Sequence, residues 1–209
     1  MTERLYYTSD ATQGVAQVLS CTEEPDGRYA VVLDQTLFHP QGGGQPADVG
    51  QIGDVTVESV IQRGENVIHI VPEPLATGEA RLWVDAETRH LHSRWHSAGH
   101  LVGYAAERHG WQPVKAHHWP GEGKVTFVAG EEAVVPDSDM LLASIEGWIE
   151  AGLLRQVELE SGRRKVSFGD LPAYQCGGTH VPNLQNIDKL VISSIKEKKG
   201  QLTVSYHLP

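Results

Sequence analysis

The sequence predicts an α+β protein built in two parts, and three observations carry that expectation. Residues 15–84 consist of short alternating apolar runs broken by Gly, Pro and Asp. After Asp85 the apolar spacing lengthens to a helical period. Near the C-terminus, strand-like runs flank Lys199-Gly200 as a hairpin would. Closely spaced strands followed by helices with antiparallel strands make an α+β class. The charge divides along the same line: residues 1–88 hold 4 Lys+Arg against 14 Asp+Glu, whereas residues 89–209 hold 13 of each.

Taken in order, "VAQVLSCTEE", "RYAVVLD", "VTVESVIQ", "NVIHIV" and "ARLWVD" read as strands. The breaks "EPDG", "HPQGGGQPADVG" and "EPLATGE" read as turns, so the first part is expected to be a small barrel or sandwich. "EEPDGRY" has the residues of a hairpin turn. Asp85 is placed to cap a helix through "AETRHLHSRWHSAGHLVGYAAERH" that stops at Gly110, with Leu91, Trp95, Ala98, Val102 and Ala105 on its apolar face. A second helix is expected in "SDMLLASIEGWIEAGLL", capped by Asp137. "RQVELES" and "RKVSF" follow as strands before the final hairpin.

Composition narrows the function classes. A net charge of −10 argues against non-specific coating of nucleic acid, and no DNA partner is expected. The basic groups sit in the second half, in Arg163-Arg164-Lys165 and around Lys196, Lys198 and Lys199, where an anionic partner could dock; a solvated surface is the simpler reading of each run. No apolar run approaches the ~20 residues of a membrane span, and "MTERLYYTSDATQG" lacks the pattern of a signal peptide. Two cysteines, Cys21 and Cys176, make no disulfide framework, so a reducing cytoplasm is the expected compartment.

Eleven histidines point to chemistry. "HSAGH" sets His96 and His100 four residues apart on a helix, so both imidazoles leave the same face; His92 extends the stripe by a turn. "CGGTH" repeats the spacing at Cys176 and His180, on a segment that Gly177-Gly178 keeps out of regular helix. Three imidazole nitrogens and one thiolate suit tetrahedral zinc. The competing reading makes Cys176 a nucleophile activated by His180, but it leaves the helical pair unexplained. In "HPQGGGQPADVG", Gly42-Gly43-Gly44 can bring bare backbone amides to a ligand and Gln45 can hydrogen-bond it; an interstrand loop is the plain alternative.

"HSAGH", then "CGGTH" about 75 residues later, with "HPQGGGQPADVG" upstream, resembles the editing region of alanyl-tRNA synthetases and, more closely, the free-standing AlaX family of alanyl-tRNA editing proteins. The resemblance implies a β-barrel over residues 1–86 and, over 87–209, an editing domain related to that of threonyl- and alanyl-tRNA synthetases, with two helices against an antiparallel sheet. It implies Zn2+ on His96, His100, Cys176 and His180. The implied reaction is hydrolysis in trans of mischarged tRNA(Ala), held by its acceptor end, with serine the chief misacylated residue and glycine a second candidate.

Gly43, Gly44, Gln45, Lys115 and Thr179 are the substrate-binding residues the resemblance suggests, with a water positioned at or near the zinc. Four protein ligands describe a closed site, whereas catalytic zinc keeps a position open, so the sequence leaves the role of the metal undecided. The alternative function is a zinc-stabilised tRNA- or protein-binding module without hydrolysis. Two segments depart from the family pattern: Lys115-Ala116-His117-His118 stands where members carry a small hydroxyl residue, and "PNLQNIDKL" replaces "TGEIG". His117 and His118 are either pocket residues or part of an exposed strand.

Overall fold

The computed structural model describes all 209 residues, in two compact units. The first comprises Met1–Gly42 and Pro46–His90; the second comprises Gly43–Gln45 and Leu91–Pro209. No helix is long and apolar enough to cross a membrane.

The first unit holds strands β1 (Glu3–Arg4), β2 (Gln13–Glu23), β3 (Tyr29–Leu33), β4 (Gln35–Thr36), β5 (Gly50–Ile52), β6 (Val55–Val57), β7 (Ser59–Arg63), β8 (Asn66–Val71) and β9 (Gly78–Val84). Seven of them form one antiparallel sheet in the order β6-β5-β9-β2-β3-β8-β7, curled into a nearly closed barrel. β1 and β4 pair separately, in parallel. "VTVESVIQ" is two strands rather than the single run expected. At Glu58 the chain turns from β5 to β8, and the Glu58 N–H donates to Ile70 O at 2.8 Å. Alternation sends Val31, Leu33, Ile52, Val60, Leu82 and Val84 inward. Gly50 permits the closest approach, since a Cβ there would lie 2.0 Å from Trp83 O. One ion pair is internal: Arg89 Nε meets both Asp48 carboxylate oxygens at 2.9 and 3.0 Å, and Asp48 also accepts from His39 N–H.

The second unit is built on helix α1 (Ala86–Glu107), whose first residues count with the first unit. Asp85 accepts from Thr88 N–H at 2.7 Å as its cap, and Gly110 ends the turn at φ +81°. Trp95, Ala98, Val102 and Ala105 are buried as their spacing predicts, while Leu91 is exposed. Helix α2 (Ser138–Glu150) is capped by Asp137 through Met140 N–H. It stops short of the expected "AGLL" because Gly152 adopts φ +62°.

Strands β10 (Trp111–His117), β11 (Lys124–Ala129), β15 (Val191–Lys198) and β16 (Gln201–His207) form a sheet in the order β10-β11-β16-β15; β12 (Arg155–Glu160), β13 (Arg163–Phe168) and β14 (Tyr174–Gln175) form another. β10 carries no clear alternation, because a bulge falls between Pro113 and Lys115, whereas β11 alternates with Val125 and Phe127 buried. The β15–β16 turn has positive φ at both Lys199 and Gly200, as a tight antiparallel hairpin requires. The atypical "PNLQNIDKL" forms a 3-10 turn at Leu184–Ile187 whose Leu184 and Ile187 are fully buried, adding core to the unit.

Candidate metal centre

α1 delivers His96 and His100 from one face, and the loop after β14 brings Cys176 and His180 to them. One ligand atom from each of the four lies within 4.8 Å of the others. Cys176 Sγ stands 3.5 Å from His96 Nε2 and 3.2 Å from His180 Nε2. A tetrahedral zinc with ordinary bond lengths has ligand–ligand edges of about 3.3–3.6 Å. The two Cys176 edges are thus close to those of a zinc centre, and the four residues together can hold an ion. His100 adds a buried Nδ1 that no protein group satisfies, an atom that calls for a partner.

Tautomers are fixed from behind. Gln45 Oε1 takes the Nδ1–H of His96 at 2.6 Å, leaving the Nε2 lone pair toward the cluster. With His180 Nε2 facing Cys176, its Nδ1–H is the atom turned to Ser97 Oγ at 3.0 Å; the same oxygen accepts from Val181 N–H. Burial pushes the His100 imidazolium pKa down to about 3 and that of His180 well below its ordinary value, so both rings are neutral, as ligands must be. Burial pushes the Cys176 thiol up, opposed by Gly178 N–H and the Arg164 charge. Thiolate formation there needs a cation in the cluster.

The glycine loop owes its shape to close approach rather than to flexibility. A Cβ on Gly178 would lie 2.1 Å from His96 Cε1, so the imidazole packs directly on the backbone. Arg164, only 4 % exposed, donates from Nη1 to Cys176 O and Gly178 O at 2.9 and 2.8 Å. Its membership of a basic run suggested surface; instead it holds the ligand loop. Arg155 Nη1 donates to His180 O at 2.7 Å.

The five suggested substrate residues separate into two groups. Gly43 and Lys115 line a cavity of about 400 Å3 beside the cluster, together with His96, His100, Cys176 and His118. Gln45 and Thr179 are buried and spend their polar atoms on the scaffold: Gln45 Nε2 and Ser93 Oγ both donate to Thr179 Oγ1 at 2.8 Å, and Thr179 N–H donates to Gln45 Oε1. Gly44 has φ +78° and accepts from His118 N–H at 2.8 Å, and a Cβ there would meet Ala116 O at 2.6 Å. It sets the loop against β10. His117 is half-buried against Trp119, His118 lies in the pocket, and His92 is buried outside the ligand cluster. Sequence reasoning missed Ser93, Ser97 and Arg164, for which only the i+4 neighbourhood of Ser93 and Ser97 on the His96 face gave any signal.

Fold and site together define an α+β protein with a buried three-histidine, one-cysteine cluster at the end of a ligand-sized cavity. AlaX-M, an alanyl-tRNA editing protein of Pyrococcus horikoshii, is 31% identical over 215 residues, covering 97% of this chain and 96% of its own length. The chain belongs to the AlaX family of alanyl-tRNA editing proteins. The alanyl-tRNA editing protein Aarsd1 of Bos taurus is 29% identical over 99% of this chain, which spans about half (54%) of that protein. The alanine–tRNA ligase of Halorubrum lacusprofundi is 43% identical over 111 residues, 50% of this chain and 12% of the ligase. No protein-family model matches the chain.

Proposed function

We propose that this chain is a zinc-dependent deacylase of mischarged tRNA(Ala), hydrolysing the ester of seryl-tRNA(Ala) first and of glycyl-tRNA(Ala) second. The observation that carries the reading is the His96, His100, Cys176, His180 cluster opening on a 400 Å3 cavity in a chain collinear with AlaX-M. The volume suits an aminoacyl group with part of the terminal adenosine, and the reading places the acceptor end there. The domain assignment it carries is a barrel over 1–86 and an editing domain over 87–209.

Those four residues would hold the zinc, which when bound supplies electrophilic polarisation of an ester carbonyl or of a water. Everything else in the mechanism is positioning. Gln45 and Ser97 set the planes of the His96 and His180 rings. Arg164 fixes the carbonyls of the loop, so Cys176 and His180 converge without rearrangement. Lys115 stands exposed at the cavity wall, where its ammonium suits the phosphate of the terminal nucleotide. An aminoacyl ester is already activated, so holding it beside a positioned water accounts for much of the rate.

The test is deacylation of seryl-, glycyl- and alanyl-tRNA(Ala) by the purified protein with its zinc content measured, alongside His96→Ala and Cys176→Ala. Rapid loss of the seryl ester, sparing of the alanyl ester and inactivity of both variants are expected. Decay of every ester at the rate in buffer alone overturns the reading.

A further inference from the structure

His118 is 3 % exposed, lines the cavity and stacks on the ligand His96, with ring centroids 4.5 Å apart. Its orientation is determined by a chain of hydrogen bonds. Tyr206 Oη donates its only hydrogen to Trp95 O at 2.8 Å. The 2.8 Å contact between Tyr206 Oη and His118 Nδ1 must then run from the ring, so Nδ1 carries the hydrogen. Nε2 is left with a lone pair and makes no hydrogen bond within the protein. The backbone is committed too, through His118 N–H to Gly44 O.

α1 is shaped to admit this ring. A Cβ on Gly99 would lie 2.2 Å from His118 Cε1 and Nδ1, so only glycine between His96 and His100 lets the imidazole reach the helix. A buried ring, oriented by a tyrosine whose own hydrogen is spent and seated on a glycine, is a built acceptor in the wall of a mainly apolar cavity. The ester's α-ammonium and the seryl hydroxyl are the donors that an aminoacyl group brings, and the ammonium is common to seryl and glycyl esters.

We propose that His118 is a substrate-recognition residue whose Nε2 accepts a hydrogen bond from a donor on the aminoacyl group. The inference rests on the deacylase reading and adds a residue to it. In a site built to accept a hydrogen bond, removing the acceptor leaves the donor of a bound substrate unpaired.

His118→Phe keeps a ring to stack on His96 and cannot accept; His118→Gln restores an acceptor atom near Nε2. Two readouts are needed: kcat/KM on seryl- and glycyl-tRNA(Ala), and the Kd for the amide analogues 3′-deoxy-3′-(L-serylamino)adenosine and 3′-deoxy-3′-(glycylamino)adenosine. With zinc content and Tm at wild-type values, His118→Phe is expected to lower kcat/KM about 10- to 100-fold and to weaken analogue binding, with partial recovery in His118→Gln. Loss on the seryl compounds alone identifies the hydroxyl as donor; equal loss on both identifies the ammonium. Wild-type behaviour of His118→Phe overturns the proposal, as does a loss that tracks zinc loss and is not recovered by glutamine. A wild-type protein that deacylates neither tRNA removes the deacylase reading itself, whereas an active wild type matched by His118→Phe removes only the role of His118.

Discussion

Gln45 accepts the Nδ1–H of His96 at 2.6 Å, across 51 residues of sequence, and its other amide atom donates to Thr179 Oγ1 at 2.8 Å. One side chain thus fixes a ring on α1 and the loop that carries Cys176 and His180. Gln45→Ala is expected to weaken zinc binding about 10- to 100-fold, the usual effect of removing an outer partner of a ligating histidine. Competition with a zinc chelator measures it. Gln41→Ala, an exposed position in the same motif, should bind zinc as the wild type does.

Arg163 and Arg164 are adjacent in sequence and opposite in consequence. Arg163 is exposed, and Arg163→Met should change unfolding free energy by no more than about 0.5 kcal/mol. Arg164→Met strands the carbonyls of Cys176 and Gly178 and should destabilise by about 2–4 kcal/mol. Urea unfolding of both variants at one pH compares them, and equal midpoints would contradict the bracing role.

His69 reports on the barrel separately from the metal cluster. Burial lowers its pKa from 6.5 to about 4, against a weak opposing contact to Val31 O. The unfolded chain therefore takes up a proton that the folded ring refuses. This group's contribution is fully present above about pH 6.5, falls as pH drops toward 4, and reaches on the order of 3 kcal/mol lost. Urea unfolding at pH 7 and pH 4.5 should show a smaller drop in His69→Phe than in the wild type. An unchanged drop in that variant would count against the assignment.

Gly178→Ala places a methyl group where His96 Cε1 now lies. The ring or the loop has to move, so zinc affinity should fall by at least tenfold while far-UV circular dichroism stays that of the wild type. Isothermal titration of zinc into the apo protein provides the value.

The two ligand pairs are legible in the sequence because i, i+4 spacing on a capped helix, and cysteine and histidine across a glycine pair, constrain geometry locally. Barrel strands and both helix caps are legible for the same reason, each depending on residues within a few positions. What decides the site's rigidity is not local. Gln45, Ser97 and Arg164 act through partners 51, 83 and 12 to 14 residues away, and no local pattern specifies those partners. Arg164 is the plainest case, since strand alternation turns it inward while Arg163 beside it faces solvent. Leu91 fails in the opposite direction: it keeps the helical spacing but lies exposed near the start of the helix. The room that Gly178 leaves for the His96 ring is likewise set by a partner distant in sequence.

Residues Gly43–Gln45 group with the second unit although the chain around them belongs to the first. During synthesis Gln45 emerges 134 residues before Thr179, its partner in two hydrogen bonds. The barrel strands can pair as they leave the ribosome, but this three-residue strap meets its first partners only at His96 and His118, and its last, Thr179, when the chain is almost finished. A fragment beginning after His90 would lack the acceptor that orients His96, so the helical pair cannot be severed from the N-terminal half without losing its alignment.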